Sequence, residues 1–349
     1  MRVSYEQEKH LCERLLTSAG LPVEDARLLG EVVAHSDFTG VYSHGLSRFV
    51  NYVRRFMSGA LDPRGEVRVV KDGGAVLSVD CGNSSGILAV NKVYDLLLGR
   101  AREHGIAFAA AFNSSNIGCG NYYGWRAAAD GMIGLLCCNT VLSVAPYGGA
   151  EKLLGTNPII IAAPAGEERP LVLDMSTSVI AWGKVQAAQR EKTPLQPGWA
   201  LDREGRPTTD PEKAYSILPI AGHKGYGLAV MVDVLSALLS GACCGADAGK
   251  PGTPEKTGFA LALIDVGHFM PLEEFQAAVD KYIRSIKSSR KAEGSSGIFL
   301  PGEPEFLEKV RRLETGYEIS AALTAELASL AADLGLSPSG ASLSQLLSD

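Results

Sequence analysis

Four side chains in one short stretch have the types and spacing for chemistry at a carbonyl group. His44, Arg48 and Tyr52 stand at i, i+4 and i+8 in VYSHGLSRFVNYV (41–53), with Ser43 directly before the histidine. Residues four apart are neighbours on a helix, so imidazole, guanidinium and phenol would share one face. Arginine grips a planar carboxylate through two parallel hydrogen bonds. Histidine exchanges a proton near neutral pH. A carboxylate clamp one turn from a proton donor suits reduction of a carbonyl next to a carboxylate. The same spacing also fits a plain solvated helix face that starts with a histidine.

Three other segments offer places for a phosphate-bearing cofactor. In LPIAGHKGYGLAVMVDVLSALLSG (218–241), Gly222, Gly225 and Gly227 bracket His223 and Lys224 ahead of an apolar helix. The free N–H groups and positive dipole end of such a helix attract phosphate. A glycine-rich turn entering a core helix gives the same pattern, and the Walker spacing is absent. In LVLDMSTS (171–178), Ser176, Thr177 and Ser178 follow a strand. They suit a phosphate or ribose, but capping of the next helix is the commoner use of such hydroxyls. In NSSNIGCGNYYGW (113–125), Gly118, Gly120 and Gly124 spell G-x-G-x-x-x-G after a strand. A Rossmann site wants an acidic residue about 20 positions on, at the end of its second strand. Here that strand ends in Cys137, Cys138, Asn139 and Thr140, which argues against that reading.

The elements that must position these groups follow from hydrophobic periodicity. The first sixty residues read as three helices: Ser4–Ala19, one with Pro22 just inside its start, and His44 to about Met57, with Ser43 as N-cap. Leu46, Phe49, Val50, Val53, Phe56 and Met57 form the apolar face of the third. Alternating elements follow. Strands are expected at 67–71, 75–79, 106–112, 132–138, 158–164, 170–174 and 258–265. Helices are expected at 87–104, 122–129, 179–189, 225–240 and 273–287. Residues 192–209, 242–256 and 288–297 read as loops, and the tail from Pro304 as helical. The expected organisation is a helical substrate-side segment over 1–65 carrying His44 and Arg48, and an α/β cofactor-binding core over 66–265 with a loop and helical insertion at 192–256. A C-terminal helical segment over 266–349 would pack back on the N-terminal part.

Composition narrows the class. The 349 residues are 46% hydrophobic and 21% charged, as in ordinary globular chains. With 33 basic and 39 acidic residues, the net charge of −6 gives no electrostatic case for binding nucleic acid or an anionic membrane. No apolar run reaches the roughly 18 residues that span a bilayer, and the polar start MRVSYEQEKH does not read as a secretory signal. A soluble cytoplasmic protein is the expectation. The seven cysteines are odd in number with no C-x-x-C, so neither a disulfide framework nor a zinc site fits. The six histidines show no metal-ligand spacing, and no metal is expected.

Taken in order, VYSHGLSRFVNYV (41–53), YGGAEKLLGTNPI (147–159), LVLDMSTS (171–178), LDREGRPTTDP (201–211), ILPIAGHKGYGLAVMVDVL (217–235) and LPGEPE (300–305) resemble the type-2 malate/L-lactate dehydrogenase family. The resemblance spans nearly the whole chain. It implies an α/β fold that is not Rossmann, with a largely antiparallel cofactor-binding sheet flanked by helical N- and C-terminal segments. It also implies a homodimer that uses NADH or NADPH on a small 2-oxo acid. MRVSYEQ and TGVYSHGLSRF look most like members that reduce 2,3-diketo-L-gulonate. The alternatives are a malate-, lactate- or ureidoglycolate-type 2-hydroxy acid dehydrogenase, a cyclic-imine (piperideine-2-carboxylate) reductase, and a nucleotide-binding relative without catalysis. By the same resemblance His44 is the proton donor and Arg48 the carboxylate clamp, with Ser43, Tyr52, Asn116 and Thr140 orienting the substrate. The family's cofactor segments fall on Pro170, Leu171, Val172, Leu173, Asp174, Met175 and Ser176, on His223 and Lys224, and on Gly302, Glu303 and Pro304.

One position departs from the pattern. Most relatives carry a histidine where this chain has Asn116 in the string Asn113-Ser114-Ser115-Asn116. An amide donates a hydrogen bond but delivers no proton at pH 7. That leaves His44 as the only motif histidine near the expected substrate.

Overall fold

The computed structural model describes residues 1–248 and 255–336. Residues 249–254 of the expected loop at 242–256, and the part of the expected helical tail beyond 336, lie outside the described residues. The N-terminal part runs β1 (Arg2–Val3), α1 (Tyr5–Ser18), α2 (Val23–Phe38), a 3-10 turn at Tyr42–His44, and α3 (Leu46–Met57). Then come β2 (Arg68–Asp72), β3 (Val76–Asp80), α4 (Gly86–His104), β4 (Ile106–Ser114), α5 (Gly120–Ala129), β5 (Met132–Cys138), β6 (Ile159–Ala163) and β7 (Leu171–Met175). Next are α6 (Trp182–Glu191), β8 (Ala200–Leu201), β9 (Pro207–Thr208), β10 (Ser216–Ile217), and α7 (His223–Asp233), which runs on as a π-helical turn at Val234–Leu238. The chain continues with β11 (Thr257–Asp265), α8 (Leu272–Lys287), α9 (Glu303–Thr315), β12 (Tyr317–Glu318) and α10 (Ala321–Asp333).

The main sheet has seven strands in the order β2-β3-β4-β11-β5-β6-β7. Only β3 and β4 run parallel; the other neighbours are antiparallel. The fold is therefore α/β with a largely antiparallel sheet, as the resemblance implied. β11 reaches the sheet centre from late in the chain. Its TGFAL stretch is buried, which suits a strand covered on both faces. β4 contributes Ala107, Ala109 and Ala111 to one face, and these small side chains let α4 lie close above it.

A second core joins the two ends of the chain. Leu11, Leu15, Leu29, Phe49, Val53, Leu327 and Leu330 pack in one cluster drawn from α1, α2, α3 and α10. β1 pairs antiparallel with β12, so the C-terminal part is stitched to the first residues.

Three local expectations need correction. The third helix does not start at His44 with Ser43 as its cap. His44 ends a separate 3-10 turn, and α3 starts at Leu46 with no cap from Gly45. Asp37, at the end of α2, supplies the cap instead: its Oδ2 accepts from Leu46 N–H at 2.6 Å. The hydroxyls of 176–178 do not cap α6 either. They bond to backbone carbonyls, and α6 starts without a side-chain cap. The region 192–209 is not all loop, because β8 and β9 pair within it and β10 joins them.

Candidate active site

The face of α3 that carries Arg48 and Tyr52 is not a solvated one. Tyr52 is only 2% exposed, and its hydroxyl donates to Asn116 Oδ1 at 2.7 Å. Gly118 N–H reaches the same oxygen at 3.0 Å. Two donors fix the amide's orientation, so its NH2 side is the one left for another acceptor. The Asn116 backbone N–H donates to Glu255 Oε2 at 2.9 Å, and Glu255 pairs with Arg55 at 2.6 Å. α3 is thereby tied at two points to the loop after β4.

His44 and Arg48 are half-buried. His44 Nδ1 lies 2.9 Å from Ser43 Oγ, and Nε2 has no partner among the described residues. Arg48 likewise has no hydrogen bond or ion pair among the described residues. An unpaired guanidinium beside a free imidazole nitrogen is a site open to an anion that bears a second acceptor. Burial, and then the charge of Arg48, pull the His44 pKa down to about 4. The free imidazole is therefore neutral at pH 7. Gly45 shows why glycine follows the histidine: a Cβ there would lie inside the Asp37 carboxylate.

The segments expected to hold cofactor come together at the β7 edge. Val172 N–H donates to Pro301 O at 3.1 Å, which lays the 300–304 turn along β7. Gly302 adopts φ 82°, and a Cβ there would stand 2.8 Å from Val172 O, so only glycine lets the backbones approach this closely. Ile220 N–H donates to Thr177 O at 2.9 Å, which brings the start of α7 to the end of the same strand. His223 and Lys224 are exposed on the first turn of α7. The N–H groups of Lys224, Gly225 and Tyr226 already donate to Ala221 O, Ile220 O and Gly222 O, so the exposed Lys224 side chain beside this backbone cradle is the group here that suits a dinucleotide's phosphates.

Not every expected residue is free for a ligand. Asp174 accepts from Asn121 N–H at 2.8 Å and so caps α5. Glu303 pairs with Lys287 and accepts from Leu300 N–H at 3.0 Å. Thr140 Oγ1 accepts from Thr156 N–H at 2.9 Å and does not join the Tyr52–Asn116 pair. Gly120 and Gly124 of the G-x-G-x-x-x-G string are there for packing. Added Cβ atoms would stand inside Ile160 and Val172, so the glycines let α5 lie against β6 and β7.

Sequence reasoning missed Asp37 and Glu255. Both act through bonds between separate elements, and no local spacing announces them. It also missed His35, buried with Nε2 2.8 Å from Asn121 Oδ1 and Nδ1 3.3 Å from Lys309 Nζ.

Residues 3–328 match the family described as Malate/L-lactate dehydrogenase. The chain is 37% identical to a malate dehydrogenase of Pyrococcus horikoshii, over 93% of this chain and 92% of that one. The solved sulfolactate dehydrogenase of Methanocaldococcus jannaschii superposes with a TM-score of 0.89 at 37% identity, covering 96% of this chain and 98% of that one. A 2,3-diketo-L-gulonate reductase of Escherichia fergusonii is 31% identical over 86% of this chain and 92% of its own length. The chain belongs to the malate/L-lactate dehydrogenase family. It is an oxidoreductase acting on CH–OH and C=O groups, in a family of 2-hydroxy-acid dehydrogenases that work with nicotinamide cofactors. Among the described residues no helix is long and apolar enough to cross a membrane.

Proposed function

We propose that this chain reduces the keto group of a 2-oxo acid with NADH or NADPH, and that 2,3-diketo-L-gulonate is its substrate. The observation that carries the reading is the half-buried His44–Arg48 pair, with the arginine unpaired and His44 Nε2 free among the described residues. Arg48 holds the substrate carboxylate in a two-point grip. Ser43 fixes the imidazole through Nδ1 and leaves Nε2 for the substrate. Protonated His44 gives its proton to the keto oxygen as that oxygen gains charge. The Asn116 NH2, turned outward by Tyr52 and Gly118, donates to a substrate oxygen, and Thr140 holds Thr156 instead of the substrate. Bound nicotinamide supplies the hydride. Pro170–Leu173, Met175, Ser176, His223, Lys224, Gly302 and Pro304 would hold the cofactor, with Lys224 at its phosphates, while Asp174 and Glu303 brace these segments from within. The helical segment 1–65 forms the substrate side, and the described part of 66–265, with the 300–304 turn along β7, the cofactor side.

The higher identity to malate and sulfolactate relatives supports a second reading, in which the substrate is a 2-oxo acid with a second acidic group. A homodimer is part of the proposal. Leu228, Met231, Leu235, Leu238 and Leu239 are exposed in one row along α7 and its π-helical continuation, a face suited to burial against a second copy.

The test is oxidation of NADH and NADPH with 2,3-diketo-L-gulonate, oxaloacetate, sulfopyruvate, pyruvate, and pyruvate plus methylamine. Turnover of diketogulonate alone supports the first reading, and turnover of the doubly acidic substrates the second. Turnover only with methylamine present would make the protein an imine reductase. Cofactor binding with no turnover, in the natural chain and in Asn116→His alike, would remove the catalytic reading.

A further inference from the structure

Beneath the His44 turn lies a buried pair of carboxyl groups that the reaction does not use. Glu8 of α1 and Asp37 of α2 are both 0% exposed. Written as two carboxylates, they leave Glu8 Oε1, Glu8 Oε2 and Asp37 Oδ1 without a donor. Buried acceptors with no donor carry a heavy desolvation penalty, and two adjacent negative charges add repulsion. One proton placed on Glu8 removes the repulsion and lets Glu8 donate to Asp37, so that of the three atoms only the second Glu8 oxygen stays without a donor. Burial pushes Glu8 well above the usual carboxylate range, and the neighbouring charge and hydrogen bond of Asp37 push the same way. Asp37 is raised by burial to about 6, held back by the Leu46 N–H that it accepts from and by the charge of Arg312. Asp37 is thus the partner that ionises first.

Tyr5 and Cys12 face the pair from α1, Tyr42 from the 3-10 turn, Glu308 and Arg312 from α9, and Tyr317 from β12. Arg312, 4% exposed, is the one cation in this group, and it is shared with Glu308. It donates to Asp37 O and to Tyr42 Oη, which braces the turn from the far side.

We propose that Glu8 and Asp37 share one proton and act as positioning residues for His44 and Arg48, ionised Asp37 fixing the first turn of α3 and so the direction in which both side chains meet the substrate. The proposal rests on the reading of His44 and Arg48 given above. Its geometry is direct. Leu46, whose N–H Asp37 holds, lies two residues from each of them, and Gly45 sits against the carboxylate itself. A second proton would weaken the charge-assisted bond to Leu46. Loss of the shared proton would set two negative charges against each other under the turn.

The test uses the full chain with Glu8→Gln and Asp37→Asn. Glu8→Gln keeps a donor towards Asp37 and does not ionise. It is expected to hold kcat within about twofold at pH 7, and to extend activity to higher pH than the natural chain. Asp37→Asn is expected to lower kcat/KM for the keto acid by about tenfold or more, with KM for the nicotinamide unchanged. Two readouts need no turnover. The infrared band of a protonated carboxyl should be present in the natural chain at pH 7 and lost in Glu8→Gln. Amide exchange over Leu46–Phe49 should quicken about tenfold in Asp37→Asn and stay level in Glu8→Gln. Absence of the band overturns the shared proton. Unchanged exchange in Asp37→Asn, or an unchanged pH profile in Glu8→Gln, overturns the positioning role. If Asp37→Asn does not fold, the Glu8→Gln profile decides. If the natural chain reduces no substrate while the band and the exchange behave as expected, the catalytic reading fails and the carboxyl pair stands.

Discussion

The two walls of the site are built by opposite means. On the helical side, polar side chains do the positioning from inside the protein. Tyr52 bonds Asn116, Asp37 caps α3, and Arg312 braces Tyr42. On the sheet side, the backbone does it. Gly302 closes on Val172, α7 starts against Thr177, and Gly120 and Gly124 let α5 lie on the strands. The first wall should answer to protonation and to isosteric changes of polar groups. The second should answer to a single added Cβ.

The largest expected effect falls on the helical wall. His44→Ala should lower turnover by about 10²–10⁴-fold, the usual contribution of a positioned general acid. Cofactor affinity should not change, because the cofactor segments belong to the other wall. Arg48→Lys should mainly raise KM for the keto acid, since a point charge cannot reproduce a two-point grip. Unchanged turnover in His44→Ala, or a level KM in Arg48→Lys, would break the contrast at its strongest point.

The next effect falls on the sheet wall. Gly124→Val places a branched side chain where even a Cβ would stand 2.7 Å from Val172 Cγ1 and 3.2 Å from Ala162 Cβ. Overpacking of this kind costs about 1–3 kcal/mol, which urea denaturation will read as a lower midpoint. If the variant were as stable as the natural chain, the glycines of 118–124 would need another explanation, and phosphate binding would return as a candidate.

The contrast also explains what the sequence could tell. The apolar face of α3 was legible because period 3.6 writes it into the chain, and the strands around β11 were legible as apolar runs. The start of α3 was not. Serine before a helix reads as a cap, but the chain first makes a 3-10 turn, and the true cap comes from Asp37 on another helix. β8 and β9 are two residues each, too short for alternation to show. The glycines were visible, yet a glycine that admits a phosphate and one that admits a neighbouring strand look alike until the neighbour is seen. Glu255 and His35 act across the fold, so their partners had no signal in local spacing.

The finest test concerns one proton. With burial and Arg48 holding the His44 pKa at about 4, the free protein carries neutral imidazole at pH 7. Neutral imidazole is the form that accepts a proton from a 2-hydroxy acid, so oxidation is ready as the protein stands. Reduction needs the protonated form. A substrate carboxylate on Arg48 cancels the charge that helps depress His44 and adds an attraction of its own, which raises the pKa in the complex. Keto-acid binding should therefore take up a proton, up to one per site. Calorimetry with the inert keto-acid analogue oxamate and NADH, repeated in buffers of different ionisation enthalpy, measures that uptake, and His44→Gln should abolish it. Because kcat/KM reports the free protein, its value for reduction should fall as pH rises through neutrality, while that for oxidation should not fall with it. Binding without proton uptake would mean that His44 is already protonated or is not the donor. In the second case the acid would have to be sought on the other side of the site.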